Sequence, residues 1–382
     1  MKISVLASEF SSNCLGRAYI LARVLQRHWP VEIIGPMLRD TMWYPLAGDN
    51  SIEYKYIKIQ NFSISSRQLI QLSKKISGDV IYASKPLMSS YGVGLLNKFM
   101  EKKPLILDID DWEVGLSKES YVRLTKVKKI MNFLTFLRSK FSYWNIVFME
   151  KLIPLADEIT VSNSFLQNKF GGTIIPHGRD TNLLNPERFD RAALRKKFRI
   201  KKKSVVAYIG TPRTYKGIED LVEAVSRIRT NDILLLLVGV TNQSENIYSL
   251  AKEKLGTERV ICFAEQPIAR IGEFLAISDV VVVPQRDSLA TKGQIPAKIF
   301  DAMSMAKPVV STKVNDIPEI LKGCGTVVEP ENIESLGDKV TLLLNNIDLA
   351  LSLGRKARQE CVEKYSWDAM EKILVRVFKK YE

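Results

Sequence analysis

Short apolar runs alternate along this chain with stretches whose apolar residues recur at helical spacing. Residues 2–7, Val31-Glu-Ile-Ile-Gly35, Val80-Ile-Tyr-Ala83 and Leu105-Ile-Leu-Asp-Ile109 are such runs. Glu158-Ile-Thr-Val161 and Thr173-Ile-Ile-Pro176 are two more. Gly16 to Arg27, 66–76 and 90–101 fit helices between them. Strands that alternate with helices predict a parallel, doubly wound sheet. The pattern lapses from Asp180 to Lys203, where Pro186 and the run Arg195-Lys-Lys-Phe-Arg-Ile-Lys-Lys-Lys203 suggest a solvated connector. It restarts at Ser204-Val-Val-Ala-Tyr-Ile-Gly210. Strands at 233–238, 259–263, 279–283, 308–311 and 326–328 then alternate with helices at 217–229, 244–254, 269–276, 297–305 and 316–321. The tail, 366–382, is an amphipathic helix carrying Met370, Ile373, Leu374 and Val377.

With 382 residues the chain exceeds one ordinary core. Two α/β domains are expected, at residues 1–182 and 200–365. Hydrophobic content of 46% and charged content of 26% are those of a globular protein. Cys14, Cys262, Cys324 and Cys361 have no metal-ligand or CxxC spacing, which suits a reducing, cytoplasmic setting. The opening Met1-Lys-Ile-Ser-Val-Leu-Ala-Ser is a first strand, too soon interrupted by Glu9 for a signal peptide.

Two loops carry candidate chemistry. Ile209-Gly-Thr-Pro-Arg-Thr-Tyr-Lys-Gly217 joins a strand to a helix. Gly210 lets the backbone approach a ligand, and Arg213 and Lys216 sit before the helix, well placed for a diphosphate. The second loop follows Ser278-Asp-Val-Val-Val-Val-Pro284 and leads into the helix that starts after Pro296. Lys298 lies in that helix's first turn and Asp301 one turn on. A cation beside a hydroxyl-reading carboxylate suits a phosphorylated sugar.

The net charge of +14 and isoelectric point near 9.4 point to an anionic partner. No nucleic-acid motif is present, so nucleic acid is not expected. An anionic membrane surface fits better, because residues 126–153 are rich in Phe, Trp and Lys. Two ordinary helices with core-facing aromatics are the competing reading of that segment, and the one favoured for most of its side chains. No GxGxxG follows the first strand, which disfavours a dinucleotide-dependent dehydrogenase.

Four segments resemble the family 4 retaining glycosyltransferases. "IGTPRTYKGIEDLVEA" resembles that family's GxxxxxKGxxxLxxA segment. "ISDVVVVPQRDSLATKGQIPAKIFDAMSMAKPVVST" is similar to its later strand–loop–helix segment. "MKISVLASEFSSNCLGRAYILARVL" resembles its opening, and "SNSFLQNKFGGTIIPHGRDTNLLNP" the stretch before its hinge. The resemblance implies a GT-B fold, two Rossmann-like domains facing a cleft, with the C-terminal helix returning to the first domain. It implies transfer of a sugar from a nucleotide-diphosphate sugar, the donor substrate, to a glycan or lipid-linked acceptor, with no cofactor and no metal. The setting would be cell-surface polysaccharide or glycolipid synthesis, peripheral on the inner membrane face. By position, Arg213 and Lys216 would hold the diphosphate, and Asp301 the ribose hydroxyls. Gly16, Gly210, Gly293, Gln294, Ile295, Pro296 and Lys298 would line the donor, with Gln266 and Ile268 beside the base. Arg17, Asp110, Asp111 and His177 would meet the acceptor, Asp110 with a catalytic role.

Two positions depart from the family pattern. Gly293 stands where the first of a paired carboxylate motif is usual, and Asp110 where His is common. These departures keep a non-catalytic GT-B-like subunit as an alternative, beside a nucleotide-sugar epimerase.

Overall fold

The computed structural model describes residues 1–59, 64–135, 142–201, 204–229, 232–240 and 245–382. Contacts divide the chain into two compact units. The first comprises Met1–Pro176, Lys292–Gln294 and Met370–Glu382; the second comprises His177–Thr291 and Ile295–Ala369.

The first unit holds β1 (Ile3–Leu6), β2 (Val31–Met37), β3 (Glu53–Lys58), β4 (Val80–Ser84), β5 (Leu105–Ile109), β6 (Glu158–Val161) and β7 (Thr173–Ile174). They form one parallel sheet in the order β3-β2-β1-β4-β5-β6-β7. The second unit holds β8 (Ser204–Ile209), β9 (Ile233–Val238), β10 (Val260–Phe263), β11 (Val280–Val283), β12 (Val309–Thr312) and β13 (Thr326–Val328). These run parallel in the order β10-β9-β8-β11-β12-β13. Every residue of β1, β4, β5, β9 and β11 is buried, as strands covered by helices on both faces require.

β3 escapes the apolar pattern because it is an edge strand. Its residues Glu-Tyr-Lys-Tyr-Ile-Lys pair only with β2 and stay half-exposed. Two helices near the end, Ile333–Asn345 and Ile347–Lys364, also go beyond the predicted elements. The helix Trp367–Phe378 lies largely in the first unit, burying Met370, Leu374, Val377 and Phe378. There the Phe378 ring meets Tyr82 edge-on at 5.1 Å between centroids. Glu371 pairs with Arg27 and lies within hydrogen-bond distance of His28 Nε2, which places that histidine in a surface contact.

The connector helix Arg191–Lys197 buries none of its residues, as its basic composition implies. Leu194, Phe198 and Ile200 nonetheless pack against the second core. Lys202 and Lys203 of the basic run lie outside the described residues.

The aromatic segment splits in two. Tyr143–Lys151 buries Asn145, Ile146 and Met149. Lys126–Leu134 buries no residue at all, so the core-facing expectation fails for this helix. Residues 136–141 lie outside the described residues.

In each sheet the strand order reverses at the unit's first strand, β1 between β2 and β4, and β8 between β9 and β11. Helices leave such neighbouring strands to opposite faces, which opens a crevice at their carboxyl ends. That crevice fixes which loops count: those after β8 and β11 in the second unit, and those after β1 and β4 in the first.

Candidate functional site

In the second unit the chain leaves β8 through Gly210 at φ 149°. A β-carbon there would come within 2.6 Å of the Lys298 Cε atom, so the missing side chain makes room for the lysine stem. A turn, Thr214–Lys216, then meets Gly217 at φ 64°. A β-carbon on Gly217 would lie 2.0 Å from the Pro284 carbonyl oxygen. Only glycine therefore lets this loop lie against the end of β11. Arg286 ties the two loops together. Its Nε and Nη2 donate to the two Asp220 oxygens at 2.9 and 2.6 Å. Its Nη1 donates to the Thr214 carbonyl at 3.2 Å, and its amide to the Tyr215 carbonyl at 3.0 Å.

Three cations stand on these loops. Arg213 is exposed, and Lys216 lies 5.1 Å over the Tyr215 ring. Lys298 is half-buried, and that enclosure lowers its pKa, partly offset by Asp301. Among the described residues no hydrogen bond or ion pair engages the Lys298 ammonium. A partly desolvated, unpaired cation is costly unless an anion visits it.

Asp301 is not free to the same degree. Arg179 Nε forms an ion pair with Asp301 Oδ1, and Arg179 Nη2 donates to the Ala297 carbonyl at 3.0 Å. Arg179 itself is pinned between Tyr365 and Trp367, accepting the Trp367 amide and donating its own to Tyr365, each at 2.8 Å. His177 is 9% exposed, with its ring 6.5 Å from that of Phe300. Gln266 is held by Arg270 Nη1 at 3.0 Å, and Ile268 opens the short turn Ile268–Arg270. Ile295 and Pro296 are buried just before the helix Ala297–Ser304.

Gly293 and Gln294 group with the first unit. A β-carbon on Gly293 would stand 2.6 Å from that of Trp112, which leaves no space for a carboxylate side chain. The Gly293 carbonyl accepts from Asn163 at 2.9 Å, and Gln294 Nε2 donates to Asp111 Oδ1 at 3.0 Å.

The first unit gathers acids at the carboxyl ends of β4 and β5. Lys85 follows β4 at φ 72°. Its ammonium sits 2.9 Å from Asp110, 2.8 Å from Asp111 and 2.7 Å from Glu113. The three carboxylates offer oxygens within 4.8 Å of one another, and Lys85 supplies the cation among them. Burial pushes the Asp110 carboxyl up to about 6; Lys85 pulls it down, and Asp111 and Asp108 push it up again. Burial alone would lower the pKa of Lys85, but the three carboxylates hold it well above the ordinary value.

Arg17 has a different task from the expected one. Its Nε and Nη2 bind both Asp108 oxygens at 2.9 Å, and it also donates to the Ile175 and Pro176 carbonyls. Its side chain is 2% exposed. Arg17 therefore joins β5 to the strand beyond β6 instead of offering donors to an acceptor. Gly16 lies two residues inside the helix Cys14–Leu25, and its amide donates to the Asn13 carbonyl at 3.1 Å.

Lys85, Arg286 and Asp220 were missed by the motif reading. Arg286 had one usable signal, a charge three residues past a buried strand.

Residues 190–360 match the family model of the glycosyl transferases group 1. The matched stretch spans the connector helix and nearly all of the second unit, both cationic loops included. Among curated relatives, N-acetyl-alpha-D-glucosaminyl L-malate synthase of Bacillus anthracis is 27% identical over 180 residues, 46% of this chain and 45% of that protein. A GDP-mannose-dependent alpha-(1-6)-phosphatidylinositol monomannoside mannosyltransferase of Mycobacterium tuberculosis is 24% identical over 229 residues, 56% of this chain and 59% of that protein. The chain thus spans about half the length of these relatives. Anabaena HepE, solved in complex with UDP-glucose, aligns over 100% of both chains with TM-score 0.77 and 16% identity. Sucrose-phosphate synthase of Thermosynechococcus elongatus aligns over 100% of this chain and 98% of its own, with TM-score 0.73 and 16% identity. The fold is that of the GT-B glycosyltransferases, two Rossmann-like parallel-sheet domains in one chain.

Proposed function

We propose that this protein is a retaining glycosyltransferase of the family 4 type that takes a nucleotide-diphosphate sugar as donor. The observation that carries this reading is the Lys298 ammonium beneath Gly210, which has no hydrogen bond or ion pair among the described residues, at the switch point of the stretch that matches the group 1 model. Arg213, Lys216 and Lys298 bind the diphosphate and stabilise the charge it gains as the sugar departs. The chain's own cations supply this stabilisation, so the transfer proceeds without a divalent ion. Asp301, oriented by Arg179, receives the ribose hydroxyls, and Gln266 and Ile268 flank the base. HepE is known with UDP-glucose, which favours a nucleotide of this kind.

The acceptor is a glycan or lipid-linked hydroxyl compound held at Asp110 and Asp111, which Lys85 fixes in place, with His177 as a further contact. Its oxygen bonds to the anomeric carbon on the face that the diphosphate leaves. The bond from that carbon to the diphosphate breaks with its electron pair, and the hydroxyl proton passes to the departing phosphate oxygen. Lipid-linked acceptors agree with the phosphatidylinositol mannoside specificity named for the mycobacterial relative.

The test is a panel of UDP, GDP, dTDP and ADP sugars, read by nucleotide binding and by slow donor hydrolysis. Binding of one donor class, lost in Lys298→Ala, is the expected result. Neither binding nor hydrolysis across the panel would sink the enzyme reading and leave a non-catalytic subunit.

A further inference from the structure

We propose that the outward face of the helix Lys126–Leu134 docks on an anionic lipid surface. Val127, Ile130, Met131 and Leu134 follow one another at helical spacing and span roughly a 100° arc of the helix. They are 70%, 60%, 53% and 69% exposed. The opposite side is the attached one. Asn132 Oδ1 accepts the Trp144 amide at 3.5 Å, and Phe133 meets the Trp144 ring edge-on at 5.5 Å. Lys129 lies 5.7 Å from the centre of the Tyr121 ring. The protein thus grips the mixed face and presents the apolar one.

Charge selects the occupant. Lys126 and Lys128 are exposed and flank the apolar arc on its two sides. From Val122 to Thr135 the chain carries Arg123, Lys126, Lys128 and Lys129 and no acid. A second copy docking by the same face would set lysines against lysines. A bilayer with anionic headgroups accepts both features: the apolar side chains enter the acyl boundary and the lysines meet the headgroups. The net charge of +14 adds long-range attraction of the same sign. Docking of this kind holds whether or not the protein transfers sugar.

Flotation of the full chain with phosphatidylcholine vesicles, with and without phosphatidylglycerol, tests the proposal. Binding is expected to the anionic vesicles alone and to weaken with salt. Lys126→Gln/Lys128→Gln should lose roughly 30-fold in affinity. Ile130→Asp/Leu134→Asp should abolish binding with the melting temperature unchanged, since both side chains are already exposed. The proposal is overturned if the wild type ignores anionic vesicles or if the Asp variant floats as the wild type does. It is equally overturned if light scattering finds a dimer that the Asp variant splits.

Discussion

Lys85→Met removes the cation from the Asp110, Asp111 and Glu113 cluster while keeping the volume of the stem. The Lys85 side chain is 6% exposed and that of Asp110 8%, so little water can replace the ammonium. Breaking a buried ion pair by deleting one partner costs about 3–5 kcal/mol. The cost depends on pH, and its sign follows from Asp110. That carboxyl has a folded pKa of about 6 against an ordinary 3.8. The folded chain therefore takes up this proton first. Stability from this group falls as pH rises from 3.8 to about 6 and is level above. Without Lys85 the pKa rises further, so the fall continues to higher pH. The variant should lose roughly 6–12 °C in melting temperature at pH 8, for about 3 kcal/mol in a unit of this size. At pH 5 the Asp110 proton is in place and the loss should shrink. Thermal melts of the full chain at both values measure this. A loss below about 2 °C at pH 8, or an equal loss at both values, would refute Lys85 as the counter-ion.

Four further outcomes are expected. Gly217→Ala, forced to hold φ 64° with its β-carbon 2.0 Å from the Pro284 oxygen, should lose about 3 kcal/mol or more in a melt and release the loop. Arg286→Ala should weaken nucleotide-diphosphate binding roughly tenfold by calorimetry, since the loop bearing Arg213 and Lys216 loses its tether. Chelation with EDTA should leave donor turnover unchanged; a loss that magnesium restores would contradict transfer driven by the chain's own cations. Burial would raise the Glu32 carboxyl, but bonds from Lys55, Ser4, Lys2 and the Ser77 amide win and hold it at about 2 against 4.5. Its stabilising share is full above 4.5 and is lost as pH falls toward 2, so Glu32→Gln should flatten the acid side of the stability curve in that window.

The sequence carried the buried strands well because all-parallel sheets need continuous apolar runs, and β9 and β11 are little else. It also located the loops at Gly210–Gly217 and Pro296–Asp301, whose motifs are local. What it lacked is strand order. Residue Ser84 pairs with Asp108, which sets Lys85 beside the chain that continues to Asp110, Asp111 and Glu113. No local pattern links a lysine after one strand to acids after another. Arg17 was misread for the same reason: its partner Asp108 lies 91 positions away. Composition likewise suggested helical structure in residues 126–153 but could not say which face is attached, because that is fixed by Tyr121 and Trp144.

Gly293 and the Arg179–Asp301 pair bear on the same electrostatics. Gly293 brings no carboxylate, and a side chain there would strike Trp112. Asp301 brings one, and Arg179 holds it in an ion pair. Asp301 nonetheless still raises the pKa of Lys298 against the effect of burial, ahead of a smaller share from Glu265. A diphosphate brings two negative charges to three cations, so binding should strengthen as salt is lowered and should discriminate diphosphate from monophosphate. Replacing Arg179 by Leu tests this logic directly. Asp301 would lose its counter-ion next to Lys298 and compete more strongly for that lysine, so the affinity for a nucleotide diphosphate should fall although no proposed phosphate contact was removed. Unchanged affinity in that variant would mean that the Arg179–Asp301 pair only braces the helix Ala297–Ser304.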